Sequence, residues 1–235
     1  IVLCIDDLKK KEEELEDRAA KLKELNLQKD RFISIVSHDL RSPFTSLLGF
    51  SEILLNEREL SEDIQNEYLS YIYEASQNQL QMINYLLDWS RLQTGRLSIE
   101  PRRLDAFDIL NNSVSVLTGN AIRKNIEIKV DVDKGLFINA DERLISQCVS
   151  NLLSNAIKFT PSDKSIHLKA AKFKEGFVEV VVKDEGTGIS EKNQEKIFKI
   201  DQKLSLEGTN GEKGSGLGLT LVKEIIEKHG GNIWF

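Results

Sequence analysis

Two sets of residues with chemical potential lie at opposite ends of this sequence. The first is His38-Asp39, inside the stretch FISIVSHDLRSPFTSLLGF at residues 32–50. An imidazole is the side chain most easily held as a neutral nucleophile near pH 7. Asp39 can accept the proton of one ring nitrogen and leave the other free to attack. Ile33, Val36, Leu40, Phe44 and Leu47 recur every three or four residues, which predicts one apolar stripe on a long helix. His38 falls beside that stripe, so it is expected to be at least partly accessible. Pro43 removes a helical hydrogen bond and predicts a kink about a turn beyond the histidine. Taken alone, a His-Asp pair on a helix is more often a solvated surface pair than a site.

The second set occupies residues 150–231 in four stretches. In SNLLSNAIKFTP, Asn151 and Asn155 are one helical turn apart and share a face, with Lys158 close to it. An asparagine carbonyl is a hard oxygen suited to Mg²⁺, and a lysine supplies a point charge for phosphate. In VVVKDEGTGIS, a valine strand ends at Asp184, and Gly186 and Gly188 permit a tight turn. A carboxylate there can accept a hydrogen bond from an exocyclic amine such as that of adenine. In EKIFKIDQK, Phe198 can anchor a mobile loop or simply pack in the core. In GEKGSGLGLTLVKEIIEKHGG, Gly214, Gly216 and Gly218 run into a helix carrying Leu219, Val222, Ile225 and Ile226. Free N–H groups and the helix dipole at such a start favour an anion, phosphate above all. The spacing is neither that of a Walker loop nor that of a Rossmann turn. The polar segment from Ile200 to Gly214 reads as a lid over a nucleotide.

The elements that must carry these residues follow from pattern. Ile1–Ile5 (IVLCI) is a short apolar run of strand character. Leu8, Leu15 and Leu22 lie seven apart among Lys and Glu, a coiled-coil seam that runs without a breaker into the His38 stripe. One helix from Asp7 to Asn56 would be ~75 Å long and would need a partner along its seam. A second amphipathic helix starts at Ser61–Asp63 and ends near Thr94, with Gly95 as its stop. A two-helix hairpin buries too little by itself, which predicts pairing into a dimeric four-helix bundle. Beyond a hinge at Gly95–Pro101 the order becomes α+β. Strands are expected at 97–103, 126–132, 136–139, 165–173 and 177–183, and helices at 105–124 and 141–159. Leu144, Cys148, Val149, Leu152 and Ala156 form the buried face of the last helix. The result is a mixed sheet with helices on one face.

Composition narrows the function classes. A chain of 235 residues with 40% hydrophobic and 30% charged side chains can build a core under a soluble surface. A formal net charge of -6 argues against nucleic acid as the main partner. No apolar run reaches the ~18 residues of a membrane span, and no signal peptide is visible. Cys4 and Cys148 sit in no metal or redox spacing and read as reduced thiols, a cytoplasmic usage.

The stretch around His38 resembles the H-box of sensor histidine kinases, and LLDWSRLQTGR resembles the end of their dimerisation hairpin. The four later stretches resemble, in order and spacing, the N, G1, F and G2 boxes of the histidine-kinase catalytic domain, of the Bergerat (GHKL) ATP-binding fold. The resemblance covers nearly everything from about residue 25 onward. It divides the chain into a signalling coiled coil (1–28), a dimerisation and phosphotransfer hairpin (29–96) and an ATP-binding α+β sandwich (97–235). The first segment also resembles the last strand and exit helix of a PAS sensor domain upstream.

Residue by residue, the resemblance implies His38 as phosphoacceptor and Asp39 as its orienting base. Asn151 and Asn155 would hold Mg²⁺ and the phosphates of ATP, Asn155 most directly as metal ligand, with Lys158 assisting. Asp184 would read adenine, with Gly186 and Gly188 shaping that pocket. Phe198, Lys213, Gly214, Gly216, Leu217, Gly218 and Leu219 complete the ATP-binding set. The implied partners are a second copy through the hairpin, a response-regulator receiver domain and an upstream sensor. Ser42 stands where a Thr or Asn commonly positions water for dephosphorylating the regulator, so it is the candidate phosphatase residue. The F-box lacks its usual second aromatic. The family places Trp234–Phe235 in a strand of the catalytic sheet, with a further strand or two beyond. The rivals are a dimeric scaffold that binds nucleotide without catalysis and another ATPase of the same fold. The first needs no intact histidine site, and the second needs no histidine hairpin upstream.

Overall fold

The computed structural model describes residues 2–57, 59–94, 98–174, 176–198, 206–212, 216 and 218–235. Among the residues singled out above, Ile1, Gly95, Ile200, Lys213, Gly214 and Leu217 lie outside these, as do residue 97 at the start of the first expected strand and the side chains of Cys4, Ile5 and Asp7. The chain divides into two compact units, residues 1–80 and residues 81–235.

The first unit consists of α1 (Val2–Asn56) and the larger part of α2 (Glu62–Gln93). The strand expected at IVLCI is instead the start of α1. A five-residue apolar run cannot be told from a helical segment by periodicity, and here it flows without a breaker into a Lys/Glu-rich helix. The helix continues unbroken through Pro43. Beyond the turn the chain folds back, and the Phe50 ring meets Tyr68 at 5.3 Å and Tyr71 at 5.1 Å between centroids. Leu8, Leu15 and Leu22 are each about two-thirds exposed in the single chain, so the seven-residue seam has nothing covering it. Among the described residues no helix is long and apolar enough to cross a membrane.

The second unit opens with the last turns of α2, where Met82, Tyr85, Asp88 and Leu92 are buried. Then follow β1 (Arg102–Asp105), α3 (Ala106–Arg123), β2 (Glu127–Val132), β3 (Phe137–Ala140), α4 (Glu142–Phe159), β4 (Ser165–Lys174), β5 (Phe177–Asp184), the single turn α5 (Glu191–Gln194) and α6 (Gly218–Lys228). Of the strand expected at 97–103, residues 98–101 are not in a ladder and the strand begins at Arg102, after Pro101, which has no N–H to donate. It pairs antiparallel with β3, while β2 runs parallel and β5 antiparallel to β4 in a three-stranded mixed sheet.

Local chemistry sets the helix starts. The Asp105 carboxylate accepts from the Phe107 N–H at 2.9 Å and caps α3, and Asp141 accepts from the Leu144 N–H at 3.1 Å and caps α4. Alternation along β4 sends Ile166, Leu168 and Ala170 inward, all fully buried, and His167 and Lys169 outward. Against that face pack Ala106, Ile109 and Leu110 of α3 and Val149, Leu153, Ala156 and Ile157 of α4. Helices therefore cover one face of the sheet, as the pattern predicts. The buried face of α4 includes Leu153 rather than Leu152, which is only half-buried. In a run of two leucines the 3.6-residue period leaves the inward one undecided. Burial pushes the Cys148 thiol up to about 12, so it stays protonated and inert. Trp234–Phe235 are not in the strand expected there, and among the described residues no strand pairs with 231–235. Their rings lie instead on Phe173 (5.7 Å) and Phe198 (5.9 Å).

Candidate functional site

In the first unit, α1 presents the His38 side chain to solvent, 82% exposed, while that of Asp39 is only 12% exposed. His38 Nδ1 lies 3.3 Å from Asp39 Oδ1. With the proton on Nδ1 donated to Asp39, Nε2 keeps its lone pair and faces outward. Of the apolar stripe, Val36, Leu40 and Leu47 are half-buried and Ile33 and Phe44 exposed, and His38 lies outside it. Ser42, one turn on, is exposed on the same helix.

In the second unit, α4 is the spine on which the remaining stretches meet. Asn151 and Asn155 are half-buried on one face of it. Gly218, the first residue of α6, sits beside Asn151, so close that a Cβ there would lie 3.6 Å from Asn151 Oδ1. The N-terminus of α6, with its free N–H groups, is thereby held against the asparagine face. Gly216 just before it has φ of 69°, a left-handed conformation that glycine adopts without strain. Leu219 is half-buried in the first turn of α6. Phe198 is half-buried against Phe235, with the Lys223 ammonium 5.9 Å from its ring centre.

The aspartate-glycine turn after β5 closes on the other end of α4. Asp184 Oδ1 accepts from the Gly186 N–H at 2.9 Å, and the Thr187 N–H donates to the Phe159 carbonyl at 3.3 Å. A Cβ on Gly186 would lie 2.6 Å from Asp184 Oδ1 and 2.7 Å from the Phe159 carbonyl oxygen, so glycine is required there by close approach. Gly186→Ala is expected to weaken both fold and nucleotide affinity, by about 1–3 kcal/mol in stability from overpacking. Thermal melting with and without a fluorescent ATP analogue checks this, and an unchanged melt would contradict it.

Lys158 does not point freely into the site. Its ammonium donates to the Leu206 carbonyl at 2.9 Å and lies 4.6 Å from the centre of the Phe159 ring. Burial draws its pKa below the ordinary lysine value, with Glu212 opposing and Lys124 adding to the effect. Pattern reading overlooked the residues that fasten this corner: Lys124, Gly208, Thr209 and Glu212. Lys124 ends α3 in the sequence AIRKNIEI and looks like a solvated charge, yet it is buried. Its partners are 33, 34 and 88 residues away, so no local signal reveals it.

The donor set fits a nucleotide with its metal. Among the described residues no three His, Cys, Asp or Glu side chains gather as a metal cage. The oxygens that line the α4 face are amide carbonyls, and these suit a Mg²⁺ that arrives with phosphates and keeps several waters.

An exposed helix thus carries a histidine beside a carboxylate, and the same chain continues into an α/β unit in which the start of α6 meets the asparagine face of α4. Residues 28–95 match the His Kinase A (phospho-acceptor) domain, and residues 140–235 match the histidine kinase-, DNA gyrase B- and HSP90-like ATPase family. An uncharacterized sensor-like histidine kinase of Rhizobium meliloti is 34% identical over 221 residues, which is 92% of this chain and 42% of that protein. Full-length ShkA, solved in complex with AMPPNP, is similar with a TM-score of 0.59 and 25% identity over 86% of this chain and 41% of that one. The histidine kinase ThkA, solved in complex with response regulator protein TrrA, shares the fold with a TM-score of 0.64 and 21% identity over 86% of this chain and 56% of that one. The chain belongs to the histidine kinase family, with a phospho-acceptor domain followed by an ATPase-family domain. It spans less than half the length of the curated relatives it matches.

Proposed function

We propose that this chain is the catalytic core of a dimeric sensor histidine kinase, which phosphorylates His38 from ATP and passes the phosphoryl group to an aspartate of a response regulator. One observation carries the reading: an exposed His38 imidazole, with Nδ1 against Asp39, stands in the same chain as an α/β unit in which the start of α6 meets the asparagine face of α4.

His38 Nε2 attacks the γ-phosphorus, the N–P bond forms, and the bond from phosphorus to the bridging oxygen of ADP breaks. The imidazolium that results loses its Nδ1 proton to Asp39. Asp39 is thus both the group that selects the tautomer and the base that neutralises the product. The transition state is loose, so most of the acceleration comes from positioning and charge stabilisation. Mg²⁺, held by Asn155 and the phosphates, would neutralise charge on the transferring group. Lys158 adds a cation at the phosphate side, Asp184 accepts from the adenine amine, and the glycines at 214, 216 and 218 let backbone N–H groups approach the phosphates.

Homodimerisation through the hairpin is supported by the uncovered leucine seam and by the exposure of Leu69, Tyr73, Leu80 and Leu87 on α2. On this reading residues 1–28 relay from an upstream sensor, 29–96 form the phosphotransfer hairpin, 97–235 bind ATP, and the core works in the cytoplasm. The complex of ThkA with TrrA makes a receiver domain the natural acceptor of the phosphoryl group. Ser42 would position water to hydrolyse the phosphoryl group from the regulator's aspartate, releasing inorganic phosphate.

Asp39→Ala is expected to lower His38 phosphorylation by about 10²–10⁴-fold, the range of a lost general base. Its ATP affinity should stay at the wild-type value. Single-turnover labelling beside equilibrium binding of a fluorescent ATP analogue tests this, and parallel loss of both would remove Asp39 from the role.

A further inference from the structure

We infer that Lys124 is a positioning residue of the nucleotide site, acting with Glu212 to hold Lys158 and the foot of the glycine-rich segment in place. The inference rests on the ATP-binding reading above and deepens it. Lys124 ends α3, its side chain only 4% exposed, and its ammonium has three acceptors. These are the Ile157 carbonyl at 2.9 Å, the Lys158 carbonyl at 2.8 Å and Glu212 Oε1 at 2.9 Å. The two carbonyls are among the last of α4, which have no intrahelical partner and form the negative end of its dipole.

Glu212 leads directly into the glycines that precede α6, so one ammonium joins three parts of the site. The segment it holds wraps closely around Lys158. The Thr209 N–H donates to the Lys158 carbonyl at 3.1 Å, and the Gly208 N–H donates to the Glu212 carbonyl at 2.8 Å. Glu212 Oε2 also accepts from the Asn210 N–H at 2.8 Å. A Cβ on Gly208 would lie 2.7 Å from Lys158 Cγ and 2.9 Å from its carbonyl oxygen, and would run into Glu212 Oε2. At the far side of the same segment Lys158 Nζ grips Leu206 O.

A lysine taken out of water is a poor way to stabilise a fold, since an apolar side chain of like volume usually serves as well. What the ammonium adds is a fixed geometry. It sets the α4 terminus, and so the place from which Lys158 reaches, relative to the loop that Glu212 anchors. The charge balance agrees. Burial works to raise the Glu212 carboxyl, yet the bonds from Lys124 and the Asn210 N–H outweigh it and hold the group below its ordinary range.

The test uses the whole chain with Lys124→Met, which keeps the stem and removes the charge, Glu212→Ala, and the double variant. The readouts are the Kd of a trinitrophenyl-ATP probe, the KM for ATP in His38 labelling and the rate at saturating ATP, with thermal melting as the fold control. Each single variant is expected to raise KM and probe Kd about tenfold, the loss of one charged hydrogen bond, while the saturated rate stays within about threefold. The double variant should lose less than the two single losses combined, because the Lys124–Glu212 contact is shared by both. Variants that melt earlier but bind the probe as wild type does would make the contact a structural brace and overturn the inference. If Lys124→Met does not fold, Glu212→Ala decides in the same way, because its carboxylate lies at the surface side. A wild-type chain that fails to bind the probe would take down the proposed function and this inference together. Wild-type binding with unaltered variants would remove this inference alone.

Discussion

His38→Gln is expected to abolish incorporation of the γ-phosphoryl group of ATP while leaving nucleotide affinity within about twofold of wild type. Glutamine keeps a polar side chain of similar reach but has no lone pair on nitrogen that can attack phosphorus. The substitution falls on an exposed position of α1, where side-chain changes alter stability by only about 0.5 kcal/mol. The proposed nucleotide site lies on α4 and α6, in a separate compact unit. Loss of labelling with retained probe binding therefore isolates the acceptor from the donor site. Residual labelling of His38→Gln at the wild-type level would place the acceptor elsewhere and contradict the mechanism. Steady ATP hydrolysis that survived the substitution would favour an ATPase of the same fold.

Asp184→Asn is the second large effect. One carboxylate oxygen is used by the turn itself, accepting from the Gly186 N–H at 2.9 Å, and the group is exposed at the strand end with its other oxygen available. A hydrogen bond to an ionised acceptor contributes about 1.5–3 kcal/mol, so ATP binding should weaken roughly ten- to hundredfold. The chemistry also predicts a change in selectivity. Wild type should prefer ATP to inosine triphosphate, which lacks the exocyclic amine, and Asp184→Asn should lose most of that preference. Titration of both nucleotides into both proteins measures it. A uniform loss for the two nucleotides would show that the aspartate holds the turn rather than reading the base.

Much of the scaffold was legible because its signals are local. The leucines seven apart at 8, 15 and 22 predicted one long helix, and α1 runs from Val2 to Asn56. Asp105 and Asp141 announced helix starts, and both cap with their side chains. The strands expected at 165–173 and 177–183 are β4 and β5, paired antiparallel. The errors fell where local signals compete. IVLCI has strand composition but continues into a helix, and the first strand begins at Arg102, after Pro101.

The candidate site was legible as separate patterns, and its assembly was not. Nothing in the spacing of Asn151 and Gly218 says that they touch, because sixty-odd residues of sheet and loop intervene. The Lys124–Glu212 ion pair was wholly hidden. Each residue alone is what a solvated surface carries, and only the folded chain brings them to 2.9 Å. The same holds for Gly186, whose need for a missing side chain comes from the Phe159 carbonyl on a different element.

The account stands most directly on where the phosphoryl group goes. Incubating the chain with γ-labelled ATP and Mg²⁺, testing the label for acid and base stability, and mapping it to a peptide answers that in one experiment. The account predicts an acid-labile, base-stable label on the peptide that carries His38. An acid-stable label, a label on another peptide, or none from a chain that still binds ATP would contradict it.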